Sequence, residues 1–124
     1  MTEINKECLV YLAGPYTHPN KGMLEYRFAQ LTLASALLVK DYGLSNISPI
    51  TQSHLQAKSE DLPTTWAFWK EVDLVMLRKC DMVFVLLEDG WKESVGVQAE
   101  VAFAEEHDIP VAYVKLVDNK LFLI

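Results

Sequence analysis

Glu100 has the neighbours that point most directly to chemistry. It closes the run Ser94-Val95-Gly96-Val97-Gln98-Ala99-Glu100. Serine is a favoured helix N-cap, so Ser94 would place Glu100 well inside a helix that starts beside it. Val97, Phe103 and Ala104 stand around Glu100 at helical spacing, and all are apolar. A carboxylate on such a face must be paired, hydrogen-bonded or put to use. Glu105 and Glu106 carry no such constraint and read as solvated. The free N–H groups at the helix start, with the Ser94 hydroxyl and the small Gly96, offer a site for an anion. Asp73 is a second carboxylate on an apolar stripe, shared with Trp66, Trp69, Val72, Met76 and Leu77. Its ordinary role is a salt bridge or an exposed position at the stripe edge. Asp81 stands before the most apolar run of the chain, where a turn or helix-end role is the ordinary one.

A further group of candidates lies in Gly14-Pro15-Tyr16-Thr17-His18. Gly14 allows a ligand close to the backbone, and the N–H groups of the following turn suit phosphate oxygens. Many tight turns contain Gly-Pro and bind nothing. A lone loop histidine is ordinarily solvated or a local hydrogen-bond partner, which is the background for His54 and His18. The rings of Tyr16, Trp66, Phe68, Trp69 and Trp91 could stack on a base. Trp66 and Trp69, at helical spacing, suit a core; Trp91 falls in a loop over the expected cleft, as ligand cover or as packing. Cys8 and Cys80 form no Cys-x-x-Cys pair, and no histidine cluster has metal spacing. We expect no metal and no cofactor, and two buried thiols in a reducing compartment.

The elements that must position these groups are short and alternate. Residues 8–13 form an apolar run that ends at Gly14-Pro15, as a strand buried on both faces does. Over 23–39, Leu24, Phe28, Leu31, Ala34, Ala36, Leu37 and Leu38 recur at helical spacing, with Gly43 at the expected C-cap. A second strand is expected over 44–50, limited by Pro49, and a loop with about one helical turn over 51–62. Pro63-Thr64-Thr65 opens a helix, and 81–87 is the clearest strand. After Ser94 a helix runs to about His107. A strand follows over 109–116, and residues 121–124 suit an edge strand or a docking tail. The order β-α-β-α-β-α-β predicts one α/β domain, a doubly wound parallel sheet of the Rossmann or flavodoxin-like kind with four or five strands. Ligands of such sheets bind beyond the carboxyl ends of the strands. That places 14–19, 50–54 and 88–96 together.

With 124 residues, a second domain would lack chain for its own core. A net charge of −6 argues against a nucleic-acid backbone as partner but leaves room for a small anion. The polar N-terminus and the lack of an apolar run near the roughly 18 residues of a bilayer span predict a cytoplasmic protein away from membranes.

The ordered set Tyr11-Leu12-Ala13-Gly14-Pro15, the Asp73 helix, Cys80-Asp81 and Ser94-x-Gly96-x-x-x-Glu100 resembles the nucleoside 2-deoxyribosyltransferase and 2'-deoxynucleoside 5'-phosphate N-hydrolase superfamily. The resemblance spans nearly the whole chain. Its Gly90-Trp91 pair is similar to a short branch of unassigned function, and the stretch between Pro49 and Pro63 does not align with characterised members. The resemblance implies that Glu100 attacks the anomeric carbon, that Tyr11 hydrogen-bonds to it, and that Asp73 contacts the sugar or base. It implies a matching Asp81 at the strand start and a 5'-phosphate at Ser94. It also implies a homodimer or larger homo-oligomer that shares residues between subunits, with Asn119 a candidate. The substrate would be a nucleoside or nucleotide, cleaved at its N-glycosidic bond by hydrolysis or base transfer, with the 5'-monophosphate favoured. The competing expectation is a non-catalytic nucleotide-binding module on the same fold.

Overall fold

The structure, a computed structural model, describes residues 6–124; the first five residues of the polar N-terminal stretch lie outside the described residues. Its elements are β1 (Leu9–Ala13), α1 (Lys21–Tyr42), β2 (Ser45–Ile47), α2 (Pro49–Glu60), α3 (Trp66–Arg78), β3 (Met82–Leu86), α4 (Val95–Glu106), β4 (Val111–Val117) and β5 (Lys120–Leu123). They build one five-stranded sheet in the order β2-β1-β3-β4-β5. The first four strands are parallel, and β5 pairs antiparallel with β4. Helices cover both faces, as the apolar β1 and β3 runs require.

The period of two along β1 and β3 divides the core. Val10, Leu12, Phe84 and Leu86 face Leu31, Ala34 and Leu38 of α1. Tyr11, Ala13, Val83 and Val85 face Leu77 of α3 and Val97 and Ala104 of α4. Strand order reverses at β1: the chain leaves it for β2 on one side and returns to β3 on the other. A crevice opens beyond the carboxyl ends at such a switch point.

Local sequence accounts for the helix ends. The Asn20 side chain accepts from the N–H groups of Gly22 and Met23, which starts α1 two residues before its apolar pattern does. Gly43, at φ 62°, ends it. The Ser94 hydroxyl accepts the Val97 N–H and caps α4. Asp118 and Asn119 both take positive φ, which turns β4 back into β5. Pro110 falls just before β4 and gives its carbonyl to the Val83 N–H.

Two stretches differ from expectation. The second strand stops at Ile47, and the expected loop is the 12-residue helix α2. Pro49 opens it, since proline lacks the N–H that a first helical turn leaves unbonded. The helix hides from apolar periodicity because its buried positions include Ser53 and His54. On α3, Asp73 and Leu77 are buried, but Val72 turns outward at 49% exposure. Among the described residues, no helix is long and apolar enough to cross a membrane.

Candidate functional site

A cavity of about 440 Å³ opens at the carboxyl end of β1, where the first turns of α2, α3 and α4 converge. That volume suits a small organic ligand. Gly14, Tyr16, Asp73, Ser94, Gly96 and Glu100 all line it. Trp66 and Trp69 line it too, because the first turns of α3 face the cavity before its later turns reach the core.

Glu100 sits on the second turn of α4, only 6% exposed. The Tyr11 hydroxyl, fully buried on β1, donates to its Oε2. Burial pushes the Glu100 carboxyl up to about 8, against the Tyr11 hydrogen bond and with help from the charge of Asp73. Burial lifts Asp73, 7% exposed, to about 6. Its Oδ1 has no hydrogen-bond partner among the described residues. Tyr11 is raised well above its ordinary value, first by burial and then by the charges of Glu100 and Asp73, so it keeps its proton and serves as donor. Among the described residues, no Lys, Arg or His lines the cavity. The helix N-termini that converge there supply positive potential. Two acids with staggered ionisation in one cavity can divide the labour of proton donor and carboxylate.

The other wall is built differently. The Tyr16 hydroxyl lies 2.6 Å from Nδ1 of His54, and Nε2 of His54 lies 3.0 Å from Oε2 of Glu25. Lys58 donates to Oε1 of Glu25 at 2.8 Å. His54 therefore stands behind Tyr16 and outside the cavity lining, which corrects its expected contact with ligand. Its place on α2 turns it inward, where the Phe28 ring stacks on it at 4.2 Å.

Three other expected contacts are also corrected. Asp81 lies at the opposite edge of the sheet, where its carboxylate accepts the Leu9 N–H at 2.7 Å. That N–H begins β1 and needs a partner, so the role of Asp81 is structural. Trp91 packs on Tyr113 with ring centroids 5.7 Å apart and belongs to the core beside α4. Pro15 is buried in its turn, outside the lining. His18 accepts the Asn20 N–H, and Cys8 is only half-buried, whereas Cys80 is buried.

Sequence reasoning missed Arg27 and Glu25. Arg27 is buried under the loops and donates to the carbonyls of Thr17 at 2.9 Å, Asp89 at 3.3 Å and Tyr16 at 3.4 Å. It ties the loop after β1 to the loop after β3. Gly90, at φ 94°, makes room: a Cβ there would fall 2.5 Å from Nη2 of Arg27. The signal was an arginine four residues before Leu31 on the buried stripe of α1. Among the described residues, no group of three His, Cys, Asp or Glu side chains is placed to hold a metal ion.

A family model described as a domain of unknown function, DUF1937, matches residues 8–116. The chain belongs to the DUF1937 family. The matched span takes in β1 and most of β4, and both walls of the cavity lie inside it. No curated protein matches the sequence of this DUF1937 chain.

Proposed function

We propose that this DUF1937 domain cleaves the N-glycosidic bond of a nucleoside, with water or a second base as acceptor. The observation that carries the reading is Glu100, buried in a cavity of ligand size, held by the Tyr11 hydroxyl and accompanied by an unpartnered Asp73. Cleavage passes through a cationic, oxocarbenium-like sugar. A carboxylate in an apolar cavity stabilises that charge strongly and can trap it as a glycosyl ester. Positive charge growing on the sugar would also draw the Glu100 carboxyl down from its raised value into its ionised form. Asp73, near 6, can hold a proton for the departing base. The resemblance to the deoxyribosyltransferase and N-hydrolase superfamily assigns the same three residues. Trp66 or Trp69 can cover a base.

The uncharged nucleoside now ranks above its 5'-monophosphate. A phosphate would meet the acidic Asp73, Glu93 and Glu100, with no Lys, Arg or His among the lining residues to neutralise it. A second copy of the chain is the expected partner, and a reducing cytoplasm the expected setting.

One observation favours a binding module instead. A Glu100 that keeps its proton to about pH 8 in the empty cavity is a good hydrogen-bond donor to a ligand. Chromatography of free base decides between the two readings. The wild type should release base from a member of a panel of ribo- and deoxyribonucleosides and their 5'-monophosphates, and Glu100→Ala should not. No release from any member, with stabilisation of roughly 2.7 kcal/mol at about 100 times the dissociation constant of one of them, would establish the binding module.

A further inference from the structure

We propose that Tyr16, His54 and Glu25 form a proton relay that deprotonates the acceptor in the second half of the reaction, when the sugar leaves Glu100. The proposal rests on the glycosidic reading above and adds three residues to it.

The geometry is continuous from cavity to solvent. Tyr16 lines the same cavity as Glu100. Its hydroxyl meets Nδ1 of His54 at 2.6 Å, and Nε2 of the same ring meets Glu25 at 3.0 Å. His54 is 3% exposed, with the Phe28 ring stacked on one face and the Tyr16 ring edge-on to it, which fixes its orientation. Glu25 has half its side chain in solvent and holds Lys58 on its other oxygen.

Hydrogen-bond inventory then gives the relay a direction. Lys58 first, and His54 second, hold the Glu25 carboxyl below its ordinary value. A carboxylate only accepts, so Nε2 of His54 carries the proton toward it. In the tautomer that carries its proton on Nε2, Nδ1 presents a lone pair and the Tyr16 O–H donates to it. The Tyr16 oxygen therefore keeps lone pairs for an acceptor, while its proton is committed to His54. Each donor in the chain points away from the cavity and toward Glu25. That arrangement receives a proton from the cavity.

The step balances without any further reagent. The acceptor water or base N–H gives its proton to the Tyr16 oxygen. The Tyr16 proton passes to Nδ1, and the Nε2 proton passes to Glu25, which returns it to solvent. The acceptor lone pair forms the new bond to the anomeric carbon. The bond from that carbon to Glu100 breaks, and its electron pair leaves Glu100 as a carboxylate. Burial and the charge of Glu25 raise the Tyr16 hydroxyl above its ordinary value, so the proton moves are concerted and no free tyrosinate forms. Asp73 is the rival base for this step, and the experiment separates them.

The test follows base release by rapid quench, with mass spectrometry of the protein, for wild type, Tyr16→Phe, His54→Gln and Glu25→Gln on the nucleoside the wild type cleaves best. The expected result for Tyr16→Phe is a stoichiometric burst of base, an accumulated glycosyl adduct on Glu100, and a steady state slower by about 10²-fold. Azide, which attacks without deprotonation, should restore turnover and yield the glycosyl azide. Glu25→Gln, altered at the surface where folding is safe, should show a weaker form of the same burst and rescue. An unchanged steady state in Tyr16→Phe assigns the proton to Asp73 and overturns the relay. Slowed turnover without burst or azide rescue gives Tyr16 a structural role and also overturns it. A wild type that releases no base from any nucleoside overturns the glycosidic reading itself, and the relay with it.

Discussion

On the α3–α4 wall of the cavity, Glu100 and Asp73 are buried with Tyr11, and among the described residues no Lys, Arg or His lines the cavity with them. On the α1–α2 wall, His54 is buried as deeply, yet Glu25 and Lys58 connect it to solvent. The same kinds of group thus titrate in opposite directions. Burial without a counter-charge lifts Glu100 and Asp73, whereas Lys58 and His54 lower Glu25. One wall stores protons near neutral pH and the other is arranged to carry them away. The first suits the bond-breaking carboxylate and acid, the second the arrival of an acceptor.

The sharpest way to break this contrast is to make the stored proton impossible. Asp73→Asn should slow base release by roughly 10²- to 10⁴-fold in steady-state assays. Asp81→Ala is the control on the opposite edge of the sheet. It should leave that rate unchanged and cost about 1 kcal/mol of stability for the lost Leu9 hydrogen bond. Equal losses of activity in both variants would mean that Asp73 acts through folding alone.

Stability against pH tests the opposite signs. Glu100 and Asp73 bind protons more tightly folded than unfolded. As pH rises, the unfolded chain ionises first, so the folded state loses stability from about pH 4 up to about 8, where Glu100 finally ionises. Glu100→Gln should remove most of that loss, with a ceiling on the order of 5 kcal/mol, in urea unfolding series across this range. Glu25, lowered in the folded state, adds stability above its unfolded value and loses it as pH falls through its folded value. Glu25→Gln should flatten only that acid limb. A Glu100→Gln protein with the wild-type slope would show that the buried wall is wetter than its geometry.

A smaller effect than that of Glu100→Gln concerns the clasp that holds the loops between the walls. Gly90→Ala places a Cβ at φ 94° and against Nη2 of Arg27. It should cost about 1–3 kcal/mol in chemical unfolding. No loss would mean that Arg27 can release the Asp89 carbonyl freely.

The helix α2 and the residues it carries show where sequence reading stops. Apolar runs marked β1 and β3, and Gly43, Ser94 and the Pro63-Thr64-Thr65 run marked helix ends, since each depends on chemistry within one turn or one strand. A helix that buries Ser53 and His54 gives no apolar period, so α2 read as loop and His54 as a possible ligand contact. The pairing of His54 with Tyr16 and with Glu25 joins residues 38 and 29 positions apart, and no local pattern encodes it. Arg27 was visible only as a charge on a buried stripe.

What the chain determined locally is therefore the α/β class, the cap of α4 and the buried position of Glu100, because these follow from side-chain period and capping chemistry. Tertiary structure alone decided that Tyr11 reaches Glu100 across 89 residues, that Asp73 shares their cavity while Asp81 serves the opposite sheet edge, and that Trp91 packs inward. The physical reason is the crossover at β1. It brings the starts of three helices to one strand end, and burial there sets the charges that no stretch of sequence carries by itself.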